Sequence, residues 1–219
     1  MKAAWGVVAA IGLAAPGCGS EVDGGGGESC DAYLDEAPAA APVTLRFRNE
    51  RAEAIYLGSQ IGCGVLVPFT LRDASGAVLP WHLDGCGFTC ETSQDFSGGC
   101  AADCAIPPVF LIAPGGHHDL TWTGVVVETV DMPQACYAEG GASETCERRV
   151  NPAAGSYEVT GEAFTEVTGC DPSQGACTCE PSAEGSCQLD YTATISGAPI
   201  TTVATLAYPD QGMIEIVFQ

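Results

Sequence analysis

The sequence holds 13 cysteines among 219 residues, and their placement restricts the fold more than any other feature. Most of them lie in three polar, glycine-rich stretches between apolar runs. These stretches hold, in order, Cys86, Cys90, Cys100 and Cys104, then Cys136 and Cys146, then Cys170, Cys177, Cys179 and Cys187. Because each stretch holds an even number, each can be closed by its own disulfides, which predicts three crosslinked loop insertions.

The start of the chain has the features of an export signal. Lys2 precedes an apolar run over residues 3–15, which is too short to span a bilayer and is typical of a signal peptide. The sequence LAAPGC at residues 13–18 resembles a bacterial lipobox. The resemblance implies a signal peptide over residues 1–17, a lipid on Cys18 and a membrane anchor. Gly19 follows the cysteine where many inner-membrane lipoproteins have aspartate, which favours the outer membrane or cell surface.

If Cys18 carries lipid, the remaining 12 cysteines form an even set, as six disulfides require. Export makes oxidation the expected state, because disulfides persist beyond the cytoplasmic membrane. Cys30 and Cys63 lie outside the three insertions, and we predict that they pair with each other. The pairing within each four-cysteine insertion stays open, since four cysteines allow three pairings.

Composition divides the mature chain into a linker and one domain. Residues 18–42 are rich in glycine, acids and proline, with four glycines at residues 24–27, and they predict a flexible tether. From residue 43 to residue 219 period-two alternation takes over. Val43, Leu45 and Phe47 alternate with polar residues, which indicates a half-buried strand.

The same alternation predicts about ten short strands and no helix. Pro68, within the run 65–71, indicates an edge strand or a bulge, and residues 73–76 form the turn of a hairpin that continues over residues 77–83. Further strands are predicted at residues 54–57, 109–112, 119–130, 156–163, 189–195, 200–208 and 213–218. We therefore expect an antiparallel β-sandwich, with Trp81 and Trp122 on inward faces.

Charge excludes several classes of partner. The chain has 28 acidic residues against seven basic ones, a formal net charge of −21. Binding to nucleic acid or to anionic lipid needs clustered basic side chains, which this sequence lacks. The acidic residues are scattered, which is typical of a solvated surface.

Two groups of residues could in principle hold a metal. The spacing of the cysteines at residues 86, 90, 100 and 104 roughly suits zinc, but export favours disulfides there and at the close pair Cys177 and Cys179. Asp84, Glu91, Asp95 and Asp103 make the first insertion acidic enough for weak calcium binding, although the spaced ladder of an EF-hand is missing.

His117, His118 and Asp119 form the most site-like cluster in the sequence. His117 and His118 are adjacent, so in a strand they point to opposite faces and do not readily share an ion. In a turn they could do so, with His82 as a third ligand. We expect a solvated turn, with no cofactor.

Residues 45–49, 69–81, 113–122 and 154–159 together resemble the domain of the bacterial BsuPI-type intracellular proteinase inhibitors. The resemblance spans residues 43–163 and implies an immunoglobulin-like fold and, as an activity, proteinase inhibition. No inhibitory residue can be matched, and the export signal and cysteine-rich insertions depart from the family.

Catalytic motifs are missing from the sequence. It contains no Gly-x-Ser-x-Gly, His-Glu-x-x-His, P-loop or dinucleotide fingerprint. We therefore predict a lipid-anchored, non-enzymatic binding or structural module of the cell envelope, whose cysteine-rich loops contact an unidentified protein or envelope ligand. A proteinase inhibitor and a metal-dependent enzyme using His117 and His118 are the alternatives.

Overall fold

A computed structural model describes residues 29–58, 67–83, 88–95, 108–139, 145–170, 177–190 and 192–219. Within these ranges the chain is nearly all β, as predicted, and no helix is long and apolar enough to cross a membrane. The strands are β1 (Val43–Asn49), β2 (Ile55–Gly58), β3 (Phe69–Arg72), β4 (Val78–Leu79), β5 (Val109–Ile112), β6 (His117–Trp122), β7 (Val126–Asp131), β8 (Thr145–Val150), β9 (Gly155–Thr168), β10 (Ser186–Gln188), β11 (Thr194–Tyr208) and β12 (Met213–Phe218). One helix, α1 (Cys90–Asp95), and two 3₁₀ turns, Cys30–Tyr33 and Gln134–Cys136, accompany them.

Two sheets enclose the main core. The smaller sheet has the order β12-β1-β6, in which β1 is antiparallel to β6 and parallel to β12. The larger sheet has the order β10-β5-β2-β9-β3-β4, and β11 pairs with the opposite edge of β9. β7 and β8 form a separate two-stranded ribbon. The parallel pairing of β1 with β12 is a difference from the purely antiparallel arrangement expected from the sequence.

The inward side chains alternate along β1, β9 and β12, as the sequence predicts. Leu45 and Phe47 of β1 are fully buried against residues of the facing sheet, including Ile112 and Val159. Burying one such side chain contributes roughly 1.5–3 kcal/mol, so this shared cluster is the main source of stability. Trp122 is also buried, and its indole N–H donates to the carbonyl oxygen of Val125 (2.9 Å).

The hairpin at residues 73–76 is confirmed. The Asp73 carboxylate accepts hydrogen bonds from the backbone N–H groups of Ser75 and Ala77, and Gly76 adopts a positive φ of 83°. β3 begins directly after Pro68 and pairs with β9 on one side and β4 on the other, so the edge position predicted for the run 65–71 is wrong. Pro68 lies just outside the strand, where its missing N–H leaves no strand hydrogen bond unmade.

Two predicted strands are wrong. The run 119–130 is divided between β6 and β7, because the chain turns at Gly124, whose φ is +79°. The run 189–195 contains a turn in which Asp190 accepts from the backbone N–H groups of Thr192 and Ala193. Leu189 and Ala193 are nevertheless both buried, so a turn with two inward residues reproduces the alternation of a strand.

The helix α1 was not predicted because it is too short to show an apolar stripe. Its start is fixed by Thr89 and Thr92, which exchange hydrogen bonds between side-chain oxygen and backbone N–H (2.9 and 3.2 Å). This reciprocal arrangement resembles a capping box with threonine in the second position.

Candidate functional site

Two disulfides join parts of the chain that are far apart in sequence. Cys30 bonds with Cys136, and Cys90 bonds with Cys146. The predicted pairing of Cys30 with Cys63 is therefore wrong, and so is the prediction that Cys136 and Cys146 close the second insertion. Parity could not reveal this, because an even set of cysteines can pair between insertions as well as within them.

A small second core surrounds these two bridges. Cys90, Cys136, Cys146 and Met132 are buried together, and Tyr33 packs against them from the N-terminal side. The second insertion thus holds both α1 and the segment that precedes β1.

The third insertion is closed on itself, as predicted. Cys170 bonds with Cys177 and Cys179 bonds with Cys187, so each member of the close pair at residues 177 and 179 bonds outward. Val109 is buried beneath this insertion, on the side of the sheet that faces away from the main core.

The disulfide of Cys90 also decides whether the first insertion can hold zinc. Because Cys90 is in a disulfide with Cys146, a zinc site using all four thiolates of the first insertion is contradicted. Cys63, Cys86, Cys100 and Cys104 lie outside the described residues.

Residues 29–39, which we call the N-terminal segment, are fixed to β8. Arg148 donates to the carbonyl oxygen of Leu34 (3.0 Å) and forms an ion pair with Glu36 (2.8 Å). The backbone N–H of Glu36 donates to the carbonyl oxygen of Arg149 (2.9 Å). Asp35 accepts from the backbone N–H of Arg149 (2.9 Å) and contacts its guanidinium (3.5 Å). The sequence predicted this segment to be part of a flexible linker, and over these residues the structure differs.

Asn151 completes the attachment. Its amide donates to the Glu36 carboxylate (3.0 Å) and to the carbonyl oxygen of Ala37 (3.0 Å), and accepts from the N–H of Ala39 (2.8 Å). Hydrogen bonding from the backbone N–H of Asn151 is the main cause that lowers the pKa of Glu36, and the Asn151 side chain and Arg148 act in the same direction against desolvation. A carboxylate stabilised in this way favours the attached state of the segment.

A cleft of about 490 Å³ lies between the N-terminal segment and the end of the sandwich. Its size is within the roughly 300–1,000 Å³ typical of small-molecule sites. The lining comes from four stretches of the chain and consists of Asp35, Glu36, Pro38, Trp81, His82, Leu83, Thr123, Val125, Val127 and Arg149. Trp81, Leu83 and the valines supply an apolar wall, and the acidic residues with Arg149 supply a polar rim.

Trp81 is held in one orientation. Its indole stacks on Phe69 with ring centroids 4.1 Å apart, and its N–H donates to the carbonyl oxygen of Phe69 (3.3 Å). The His82 ring meets the indole edge-on at 5.1 Å. Trp81 was predicted to face inward. In the structure its side chain is only half-buried, because it packs at the margin of the core and its ring reaches the cleft.

The three histidines are in different surroundings. His118 points inward and stacks on Phe110 (3.9 Å), and burial lowers the pKa of His118. His117 is the next residue of the same strand and therefore faces outward. His82 lines the cleft beside Thr123, at the other end of β6. His117 and His118 therefore lie in a strand, and the solvated turn that we expected for them is wrong.

The acidic residues of the first insertion also have structural contacts. Glu91 accepts a hydrogen bond from the backbone N–H of Asp35 (3.0 Å), which connects α1 to the N-terminal segment. Asp84 and Asp103 lie outside the described residues. Within the described ranges no group of three or more His, Cys, Asp or Glu residues is arranged to hold a metal ion.

Comparison with protein-family models, with curated proteins and with solved structures found no match to this chain. The cleft was missed by sequence reasoning because its lining comes from four separate stretches of the chain, the first and last of which, Asp35 and Arg149, are more than 100 residues apart. One signal was available in the sequence. Arg148 and Arg149 are adjacent in a chain with few basic residues, and the adjacent acids Asp35 and Glu36 could have been considered as their ion-pair partners.

Proposed function

We propose that this chain is an exported, lipid-anchored binding module of the bacterial cell envelope, not an enzyme, and that the cleft holds its ligand. The observation that carries the proposal is that the N-terminal segment, disulfide-bonded to the domain through Cys30, forms one wall of the cleft. The segment that leads to the predicted anchor is therefore also part of the binding site.

The disulfides support the compartment. Four of them lie within the described residues, and such crosslinks indicate an extracytoplasmic location. A lipid on Cys18, insertion in the outer membrane and display at the cell surface are the finer parts of the proposal.

The position of the anchor limits where the cleft can act. Cys18 and Cys30 are separated by so few residues that a fully extended chain spans at most about 40 Å between them. A ligand would therefore be met close to the membrane surface.

The lining favours an uncharged ligand that presents an apolar ring or side chain to Trp81. The net charge of −21 repels polyanions, and the carboxylates of the rim already contact Arg148 and Arg149. Thr123 offers a further polar contact.

Titration of the oxidised protein with aromatic and aliphatic peptides and with cell-wall sugars tests the cleft. We expect a ligand to shift the fluorescence of Trp81, while the buried Trp122 serves as an internal reference. The Trp81→Phe variant should lose this shift and Val78→Ala, an exposed position outside the cleft, should retain it. A shift that persists without Trp81, or a panel that produces none, counts against a binding cleft.

The anchor has a separate test, which is the intact mass before and after reduction and alkylation, with a metal assay on the same sample. We expect a diacyl or triacyl mass on Cys18, no alkylation before reduction and 12 alkylated cysteines after it. Free thiols together with bound zinc would contradict both the scaffold and the compartment.

We further propose that the sandwich has the immunoglobulin-like topology implied by the family resemblance. The hydroxyl of Tyr157, near the start of β9, donates to the carbonyl oxygen of Ala153, and this contact is similar to the tyrosine corner of such sandwiches.

The alternatives have distinct signatures. A proteinase inhibitor would inhibit a protease in one-to-one stoichiometry. A metal-dependent enzyme using His117 and His118 would retain a metal after purification.

A further inference from the structure

β11 is a long edge strand without charge. β9 pairs with one of its edges over residues 194–208, and no other strand in the described part of the chain pairs with the second edge. None of its 15 residues is charged, although the whole chain has a net charge of −21. Soluble proteins usually protect such edges with charged side chains, proline or bulges, because unpaired N–H and C=O groups bind other strands.

The contacts of Ala207 show which backbone groups face the open edge. Its N–H donates to the Gln211 side-chain oxygen (3.1 Å), and its carbonyl accepts from the Gln211 N–H (2.8 Å), so both groups point away from β9. The register with β9 is continuous from Pro199 to Tyr208. Because backbone groups alternate in direction along an antiparallel strand, Thr201, Val203 and Thr205 also point their N–H and C=O groups to the open edge.

Both ends of this edge are protected. Pro199 falls in the same alternation and has no N–H to donate, and the register shifts between Ser196 and Pro199. At the other end Gln211 occupies the backbone groups of Ala207. The open part is therefore the window Thr201–Thr205.

We propose that two copies of this chain associate through these windows, with the two β11 strands antiparallel about a two-fold axis at Val203. In this register Val203 faces Val203 of the second copy, and Thr201 faces Thr205. Each of these facing pairs exchanges two backbone hydrogen bonds. The window is thus complementary to itself, and the isologous contact closes at two copies.

The side chains suit this register. Val203 is 59% exposed, the highest value for a large apolar side chain among the described residues. In the dimer it lies against its counterpart, and cross-strand pairs of β-branched residues stabilise sheets. No charged side chain of β11 opposes the approach.

The nearest acidic residues predict a salt dependence. Glu158 and Glu162 of β9 pair with Thr205 and Thr201, so the β9 strands of the two copies are three strand spacings apart, about 14 Å. The Debye length is about 30 Å at 0.01 M salt and about 8 Å at 0.15 M. Dimerisation should therefore be weaker at low salt and stronger at physiological salt.

Density-matched sedimentation equilibrium of the full purified chain tests the proposal, because detergent bound to a lipid then adds nothing to the mass. We expect a dimer for the wild type. Val203→Lys places like charges opposite each other and should raise the dimer dissociation constant about tenfold. Ala207→Lys, on the same face outside the window, should remain dimeric. A monomeric wild type, a different partner on this edge, or equal effects of the two variants would overturn the proposal.

Amide hydrogen exchange checks the register independently of the variants. Raising the protein concentration should slow exchange at Thr201, Val203 and Thr205, whose N–H groups face the partner. Thr202 and Ala204 should not change with concentration, because their N–H groups face β9. Protection that ignores this alternation, or that does not depend on concentration, would rule out strand pairing.

Discussion

The two disulfides of the N-terminal region and the two of the third insertion differ in what they hold together. The first pair spans sequence separations of 106 and 56, and the second pair spans separations of 7 and 8. In the chain-entropy model, crosslinks over such loops contribute about 4–5 kcal/mol each in the first case and about 2.5 kcal/mol in the second.

Disulfides therefore serve two purposes in one domain. The long-range bridges attach α1 and the N-terminal segment to the second insertion. Because the N-terminal segment forms one wall of the cleft, these bridges also hold the cleft together. The short-range bridges limit the freedom of one loop whose ends are already fixed by β9 and β10. Removing a long-range bridge should therefore change the site, whereas removing a short-range bridge should change only stability.

The largest effect is expected for the double variant Cys30→Ala/Cys136→Ala. It should lower the free energy of unfolding by about 4–5 kcal/mol, because the longest loop in the unfolded chain is no longer closed. It should also release the N-terminal segment and weaken any ligand binding in the cleft. Denaturation by urea measures the first effect, and protease cleavage within residues 31–39 measures the second. A segment that stays resistant to cleavage would show that polar contacts alone attach it.

The matched variant Cys170→Ala/Cys177→Ala should cost about 2.5 kcal/mol. Because this bridge lies within the third insertion, Trp81 fluorescence and cleavage within residues 31–39 should be the same as in the wild type. Denaturation and limited proteolysis of the same samples give both values. A loss equal to that of the long-range variant would contradict the dependence on loop length.

Asn151→Ala should separate the polar attachment from the covalent one. The variant loses the side-chain bonds to Glu36, Ala37 and Ala39 but keeps the Cys30 bridge. We expect a loss of about 1–2 kcal/mol, since these groups are only partly buried, and faster amide exchange at Ala39. Gln188→Ala, an exposed position near the third insertion, is the control and should leave both quantities unchanged.

The smallest effect is expected from acid. The pKa of Glu36 is lowered in the folded chain by the backbone N–H of Asn151, from a usual value of 4.5. Its contribution is therefore complete above pH 4.5 and is lost as the pH falls through the lowered folded value. Amide exchange in residues 35–39, corrected for its intrinsic pH dependence, should accelerate in that range.

Glu36→Gln should remove this pH dependence. Hydrogen bonding to Ser182 lowers the pKa of Glu184 in the third insertion in the same sense, but that bond is local and its loss detaches nothing. An N-terminal segment that responds to acid no more than the third insertion would contradict the assigned role of Glu36.

Most strands could be predicted from the sequence because their signal is local. Alternation alone predicts β1 from Val43, Leu45 and Phe47. The turn is predicted by the conformational preferences of Asp73 and Gly76. The failures arise where two structures share one pattern. The turn that buries Leu189 and Ala193 has the same alternation as a strand. The apolar run through Gly124 continues without a break in the sequence, although the chain passes there from β6 in one sheet to β7 in another.

The site could not be predicted in the same way. The pairing of the cysteines and the attachment of residues 29–39 both depend on contacts between residues far apart in the chain. Asp35 and Glu36 have no distinctive local pattern, and their partners Arg148 and Arg149 become informative only when β8 is placed beside them.

The parallel pairing of β1 with β12 governs the order in which the domain can mature. Synthesis delivers β1 first, and its partner Met213–Phe218 follows only after every other described strand. Leu45 and Phe47 therefore lack part of their cover until the late strand arrives, since non-local pairing waits for both partners. A chain that stalls before residue 213 leaves the β12 edge of β1 unpaired and the core without Ile214, Ile216 and Phe218. Completion of the core therefore waits for the strand that is synthesised last.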